Sequence, residues 1–507
     1  MCKLRRISTL LFLLKILKIP VSLYSYTLIA KYFGVSIEKD IWLLSFSLIL
    51  TLDAAVWGPI NDVFRAKFVT IKELDGPGKA IAATQSLLFY MFLFSCLIVL
   101  ILFLFTDSFV DVISTGYSAE RRQQLIEMLR LVAPILLVNQ ASLIGISILN
   151  AFNSFIVPEI ASFFSQILNI LILIFLVDKL GIYVLLLASI ISLLLLIFFI
   201  IYKIKQLKIP LFKKFRPKFS YFRIFFLFAL PLFVPYLIGQ INSVIEKKLI
   251  SSVGTGAVSI IDFAKKFPDM INVIISSIVL TVLTPTITRL FVNNNKSEFD
   301  KCFLDSFGLG LLIIGFFCVF MMVGSGDLMM FFYGKSSVDH NSLLEIIELN
   351  KYYSLAAFTV FLYVVFGTCM LAIGKNKMNA LSGTITQLAV IIINLTFVNK
   401  FGVEIFPFSI LFSHLFAAVF MFTYYPYDKS LVIRFFLRFI CFLGIVTVGL
   451  ALSTSLLFNQ LSIHSSMARV AIISFIEVIL FVLFGFVFNI NEIHLAVNFL
   501  LKKIGFK

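Results

Sequence analysis

Residues 262–269 read DFAKKFPD and place four ionisable side chains inside an otherwise apolar stretch. Asp262 precedes Lys265 by three residues and Lys266 by four, and Asp269 follows Lys266 by three. On a helix these spacings bring opposite charges together in a self-neutralising patch. The pattern needs a reason, because an uncompensated lysine at the centre of a membrane span costs about 2.5–3.5 kcal/mol on insertion scales. Two readings account for it. Lys265 and Lys266 snorkel to the outer interface while the span starts near Phe267, or Lys266 points into a wet cavity and offers a point charge to an anion. Pro268 removes the helical hydrogen bond to the carbonyl of Ala264, and a kink beside charges suits a helix that lines such a cavity.

Three further groups carry chemistry. Lys15 and Lys18 lie three apart on one face of the first apolar run and are followed by Pro20; they either snorkel toward cytoplasmic headgroups or line a cavity. Asp53, in LTLDAAVWGP, has no basic residue near it in its own helix, so it pairs across helices with Lys15 or Lys18 or serves a coupling cation. Arg130, Glu159, Glu246 and Asp305 fall near span ends and read as interfacial, whereas Glu477 lies mid-span. Six scattered cysteines without a CxxC pair and four distant histidines provide neither a disulfide framework nor a zinc spacing. No GxGxxG, Walker A or HExxH motif occurs, and the longest outer loop, residues 326–351, holds no recognisable nucleophile and base pair. A membrane glycosyltransferase or polymerase is left without a catalytic loop, and no enzyme or bound cofactor is expected.

Membrane spans must position these groups. Of 507 residues, 61% are hydrophobic and 13% charged, with 60 Phe and a mean hydropathy of +1.06, which makes this a polytopic all-α membrane protein. The net charge of +16 resides mostly in short loops, where it sets orientation in the bilayer and does not point to nucleic acid. A rule of about 20 apolar residues per span predicts fourteen transmembrane helices, centred near residues 20, 51, 92, 138, 167, 192, 235, 272, 314, 362, 390, 414, 445 and 478. The N-terminal MCKLRRISTLLFLLK has the basic-then-apolar order of a signal peptide but no small-residue cleavage site after it, so it reads as an uncleaved first span.

Loop charge then orients the chain. The connection Lys203–Arg223 carries eight Lys or Arg and no acid, on the same side as Lys3, Arg5 and Arg6, so both termini are expected in the cytoplasm. FLVDKLGI at 175–182 recurs as TFVNKFGV at 396–403; Gln166 matches Gln387 at the same offset of 221, and Gly34 matches Gly254 at 220. These matches predict two pseudo-symmetric six-helix lobes, 1–205 and 224–427, joined by a basic cytoplasmic linker at 206–223. Two more helices at 428–490 and an amphipathic cytoplasmic tail at 491–507 complete the chain. Parallel repeats about an axis along the membrane normal are an architecture of rocking, alternating-access transporters.

Five stretches then carry a resemblance: IAKYFGVSIEKDIWLLSF (29–46), ILNAFNSFIVPEIA (148–161), GQINSVIEKKLISSVGTGAVSIIDFAKKF (239–267), LTPTITRL (283–290) and MLAIGKNKMNALSG (370–383). In order and spacing they resemble the lipid II flippase family (MurJ/MviN) of the multidrug/oligosaccharidyl-lipid/polysaccharide (MOP) exporter superfamily. The separation of Lys266 from Pro285 matches the family's arginine-to-proline separation. The resemblance implies a MOP/MATE-like flippase in the bacterial inner membrane, a monomer of two six-helix lobes plus two C-terminal helices, with a basic cavity for an undecaprenyl-linked pyrophosphate. Lys266, Lys265, Lys18 and Lys15 are the cavity candidates, and Asp53, Asp262 and Asp269 the candidates for coupling to a monovalent cation or for pairing across helices. Ser25 and Tyr26 stand where the family has an Arg-Asp pair, Asp53 stands near the place of a second-span arginine, and Lys265-Lys266 replaces Asp-Arg. These departures leave the saccharide open between lipid II and an O-antigen or exopolysaccharide repeat unit. A cation-coupled multidrug exporter is the reading from a different class, and lysines at 18 and 266 speak against it.

Overall fold

The computed structural model describes residues 2–113, 117–152, 154, 156–211, 216–278, 283–461 and 463–494, with side chains of the first helix described from Leu17 onward. Among the described residues there are seventeen α-helices and no strand. The first nine are α1 (Cys2–Phe33), α2 (Ile37–Asp75), α3 (Pro77–Leu104), α4 (Thr106–Ile113), α5 (Ala119–Val132), α6 (Ile135–Ala151), α7 (Ile156–Leu180), α8 (Tyr183–Gln206) and α9 (Phe219–Val253). The rest are α10 (Ala257–Ile278), α11 (Thr284–Val292), α12 (Lys296–Tyr333), α13 (His340–Ala372), α14 (Asn376–Phe401), α15 (Ile405–Phe422), α16 (Lys429–Gln460) and α17 (Ser466–Val487). Side-chain caps start many of them: Ser36, Ser118, Asn295, Asp339, Asp428 and Ser465 each accept the backbone N–H of the third residue on, satisfying a donor that the helix itself cannot.

Each of the fourteen predicted centres falls within a helix. By length and apolarity, however, ten helical stretches among the described residues qualify to cross a membrane, or eleven if the bent pair Phe219–Leu230 and Leu232–Val253 is one span. Two reasons for the lower number are visible. Asp262, Lys265, Lys266 and Asp269 interrupt α10, and α14 with α15 counts as one apolar stretch, Asn376–Phe422. The helices also differ in what surrounds them. The most apolar windows of α12 and α13 are 61% and 67% buried, against 22% in α3 and α17. Helices as apolar as α3 and α17 with so little protein around them require lipid as their solvent.

The chain divides into two compact units, Met1–Ser259 and Ile260–Lys507. In the first, α2 packs against α3, α5, α6 and α9, while α7 packs on α1 and α8. Helix α9, placed by the sequence after the linker, thus joins the first unit. In the second, α13 packs against α12 and α15, and α12 also meets α16 and α17. The α12–α17 pair runs antiparallel: Arg469 reaches Asp327 at 3.6 Å, and Phe481 meets Phe316 at 5.1 Å between ring centroids.

The motif repeated at offset 221 ends two helices in the same way. Gly181 after α7 and Gly402 after α14 adopt φ of +52° and +56° and donate their N–H to the carbonyls of Val177 and Val398. A left-handed residue at this position closes the last helical turn, and glycine takes it without a Cβ clash. The two helices that follow, α8 and α15, pack back on α7 and α14 respectively.

Candidate functional site

Helix α10 continues through Pro268, which is buried, so the proline is accommodated inside the helix without ending it. The carbonyl that Pro268 cannot serve, that of Ala264, accepts a hydrogen bond at 2.8 Å from the side-chain amide of Asn350 on α13. Phe263 and Phe267 anchor the same turns against Tyr333 and Phe332 at the end of α12, with ring centroids 4.8 and 5.4 Å apart. This packing turns the charged residues in different directions. The ammonium of Lys265 lies 5.0 Å from the centroid of the Tyr353 ring, a cation–π contact with α13. Lys266, also half-buried, sits in the field of Asp262 and Asp269, and Asp269 is exposed. Asp262, Lys266 and Asp269 therefore form the compensated patch that their spacing predicts.

The first unit holds the other candidates and separates them. Lys18 forms an ion pair with Glu159 of α7 at 2.5 Å, both side chains mostly shielded, so Glu159 is a counter-ion within the helix bundle and more than an interfacial charge. The side chain of Lys15 lies outside the described residues. Asp53 is not joined to Lys18. It is buried on α2, where its two oxygens accept hydrogen bonds from Asn139 Nδ2 at 2.7 Å and Gln140 Nε2 at 2.6 Å, both on α6. Gln140 Oε1 in turn accepts from Asn61 Nδ2 at 3.1 Å. Cross-helix pairing is thus supplied by neutral amides, which draw no attention in a sequence scan for charge.

Two further contacts also escaped the sequence reading. Lys247 on α9 donates to Thr51 Oγ1 at 2.6 Å and to the Ser47 carbonyl at 3.1 Å, tying α9 to α2. Asp40, buried near the start of α2, accepts from Gly256 N–H at 2.7 Å and from the N–H and hydroxyl of Ser259 at 2.8 and 2.5 Å. It thereby caps the first turn of α10, a position where a side-chain oxygen acceptor is favoured. Both were visible only as ordinary polar letters at span ends; the partners lie about 200 residues away. Glu477 on α17 is fully buried and lies against the Phe320 backbone of α12.

Among the described residues no group of three or more His, Cys, Asp or Glu is arranged to hold a metal ion. The second unit carries an apolar cavity of about 680 Å³ lined by Phe316, Phe317, Phe320, Val478 and Phe481 among others. Among the described residues the chemistry on offer is charge, carried by lysines such as Lys18 and Lys266 beside their carboxylates, and contact with apolar chains.

A family model described as lipid II flippase MurJ matches residues 29–488. Among solved structures, the chain is similar to a lipid II flippase MurJ in an inward closed conformation, with a TM-score of 0.75, 20% identity, and coverage of 94% of this chain and 98% of the other. It is also similar to an inward-facing multidrug resistance MATE transporter of the MOP superfamily, with a TM-score of 0.69, 14% identity, and coverage of 82% and 96%. A MOP superfamily transporter from Pyrococcus furiosus follows, with a TM-score of 0.61, 14% identity, and coverage of 82% and 94%. At these identities the structural likenesses show a shared all-α MOP-like fold. No curated protein sequence matches the chain. The family match over residues 29–488 shows that the chain belongs to the lipid II flippase MurJ family, a family of membrane transporters and not of enzymes.

Proposed function

We propose that this protein moves an undecaprenyl-pyrophosphate-linked saccharide, a lipid II-like peptidoglycan precursor, from the cytoplasmic to the outer leaflet of a bacterial inner membrane by alternating access. The family match over residues 29–488 carries this reading. Two features of the molecule support it. Lys266 is a half-buried cation held on a membrane helix, and a lysine can meet pyrophosphate as a point charge. The apolar cavity of about 680 Å³ in the second unit has the lining that an isoprenoid chain requires. The protein works as a monomer with both termini in the cytoplasm, and the membrane potential or a monovalent cation drives the cycle.

An O-antigen or exopolysaccharide repeat unit is the second reading. It is favoured by one observation: Ser25, Tyr26, Asp53 and Lys266 occupy places where the family's pattern has Arg-Asp, Arg and Arg. The two share a pyrophosphate and differ in the saccharide. The full chain reconstituted into liposomes should be offered lipid II and a polyprenyl-pyrophosphate oligosaccharide separately, and the fraction reaching the far leaflet read by an impermeant sugar-modifying enzyme. Faster crossing of lipid II than in protein-free liposomes supports the first reading. Crossing of the oligosaccharide alone supports the second, and no acceleration of either overturns both.

A further inference from the structure

Asp53 presents a problem of charge that its hydrogen bonds do not solve. It is 5% exposed on a membrane helix, and its partners, Asn139 and Gln140, are neutral. Amide donors satisfy the lone pairs of a carboxylate but leave its charge in a medium of low dielectric, which is costly unless a cation compensates it. No basic side chain among the described residues does so. Lys18 is engaged with Glu159. Lys247, on α9, is bonded to Thr51 and Ser47, which lie on a side of α2 turned away from Asp53 by more than 100°. From α3, the group facing this stripe is Ser95, which accepts from Trp57 Nε1 at 3.0 Å.

Beyond the two amide donors on Asp53, the neighbouring side chains hold oxygen. Asn61 Oδ1 is buried and has no hydrogen-bond partner, and Gln140 Oε1 lies beside it, accepting from Asn61 Nδ2. Asparagine and glutamine side chains turned by 180° present oxygen where they had presented NH₂. Turned in this way, Asn139 and Gln140 would face the carboxylate with acceptors, which is stable only if a cation stands between them. One carboxylate among neutral amide oxygens suits a hard ion of single charge, because divalent sites recruit more carboxylates and hold them in stricter geometry.

We infer that Asp53, Asn61, Asn139 and Gln140 form a binding site for one monovalent cation, a sodium ion or a proton, between α2 and α6 within the first unit. In the sodium-bound form the amide oxygens of Asn139 and Gln140 join Asp53 as ligands and Asn61 Oδ1 gains a partner. In the protonated form the carboxyl donates to one of those oxygens. Half-buried Asn139 marks the side from which the ion enters.

The site has a built-in reporter, since Trp57 lies one turn after Asp53 and the chain has only one other tryptophan, Trp42. The test uses purified full-length protein carrying Trp42→Phe in lipid nanodiscs, titrated with sodium chloride against choline chloride at constant ionic strength, at several pH values. The expected result is a saturable change in Trp57 emission and a thermal midpoint raised by about 2 °C or more. A response to sodium at fixed pH identifies the sodium ion; a response to pH that is indifferent to sodium identifies the proton. Asp53→Asn should abolish the response, and Gln140→Leu should weaken apparent affinity about tenfold or more. Gln140→Glu, which adds a second carboxylate, should bring a response to calcium. A folded Asp53→Asn protein that keeps the full response, or a parent protein that answers neither sodium nor pH, overturns the site. The readout is binding and not lipid transport, so failure here is distinct from failure of the flippase reading.

Discussion

The side-chain amide of Asn350 donates to the backbone carbonyl of Ala264 at 2.8 Å, the one carbonyl in α10 that Pro268 leaves without its helical partner. Asn350 is fully buried, so the bond is made where water cannot replace it. An unsatisfied buried acceptor costs about 1–3 kcal/mol. Asn350→Leu should therefore destabilise the protein by about that amount. Pro268→Ala restores an N–H at 268 and hands the carbonyl back to the helix. Asn350→Leu should then be tolerated in the Pro268→Ala background, a coupling that unfolding midpoints of the four proteins measure directly. Equal losses in both backgrounds would show that Asn350 serves something other than the proline.

A second long-range bond invites a similar test. Asp40 uses both carboxylate oxygens for three donors at Gly256 and Ser259. Asp40→Asn keeps the shape but leaves a single accepting oxygen and turns an NH₂ toward backbone N–H groups, so a loss of about 1–3 kcal/mol is expected. Gly256 has φ of +87°, and a Cβ there would come within 2.5 Å of Val35 Cγ1, so Gly256→Ala should loosen the same turn through strain. Both variants should be cut faster near residues 254–256 by protease added to the outer face, with other sites unaffected.

The fourteen apolar centres were readable because a membrane helix must satisfy its own backbone and clothe itself in apolar side chains, a local requirement written into about 20 consecutive letters. Which of those stretches pass a stricter test of apolarity depends on what charge they carry, and α10 fails it through the residues that make it interesting. Partners were not readable in this way. Pro268 announced a missing hydrogen bond, but the donor that replaces it lies 86 positions away as one asparagine among many. For Asp53 the sequence offers a lysine, Lys15 or Lys18, or a coupling cation; among the described residues its partners are Asn139 and Gln140, while Lys18 pairs with Glu159. Side-chain amides serve so many roles that their letters carry almost no positional information until the fold sets two helices side by side.

Orientation follows from loop charge and can be checked without transport. Lys208 and Lys335, both exposed, fall on opposite sides if Lys203–Arg223 is cytoplasmic. Single cysteines at these positions on a cysteine-free background should label differently with an impermeant reagent added outside intact cells. Label at 335 and none at 208 is expected; the reverse would invert the topology.

The pair Lys265-Lys266 can be separated by what each touches. Successive residues on a helix point about 100° apart, and here Lys265 lies over the Tyr353 ring while Lys266 stands between Asp262 and Asp269. Lys265 has its partner within the protein, so Lys265→Ala should cost stability of about 0.5–2 kcal/mol and leave transport near that of the parent. Lys266 is the group assigned to phosphate. Lys266→Ala should abolish outward movement of the lipid-linked saccharide at normal membrane abundance, because the two remaining carboxylates would repel a pyrophosphate. Lys266→Arg should keep most of the activity, since it restores charge and reach and adds a fork suited to phosphate. If Lys266 only snorkels to the interface, both substitutions should be tolerated alike. Outer-leaflet appearance of the substrate, measured beside protein abundance and the thermal midpoint, distinguishes these outcomes. A fully active Lys266→Ala protein would remove the phosphate role and leave the patch as a device for inserting α10.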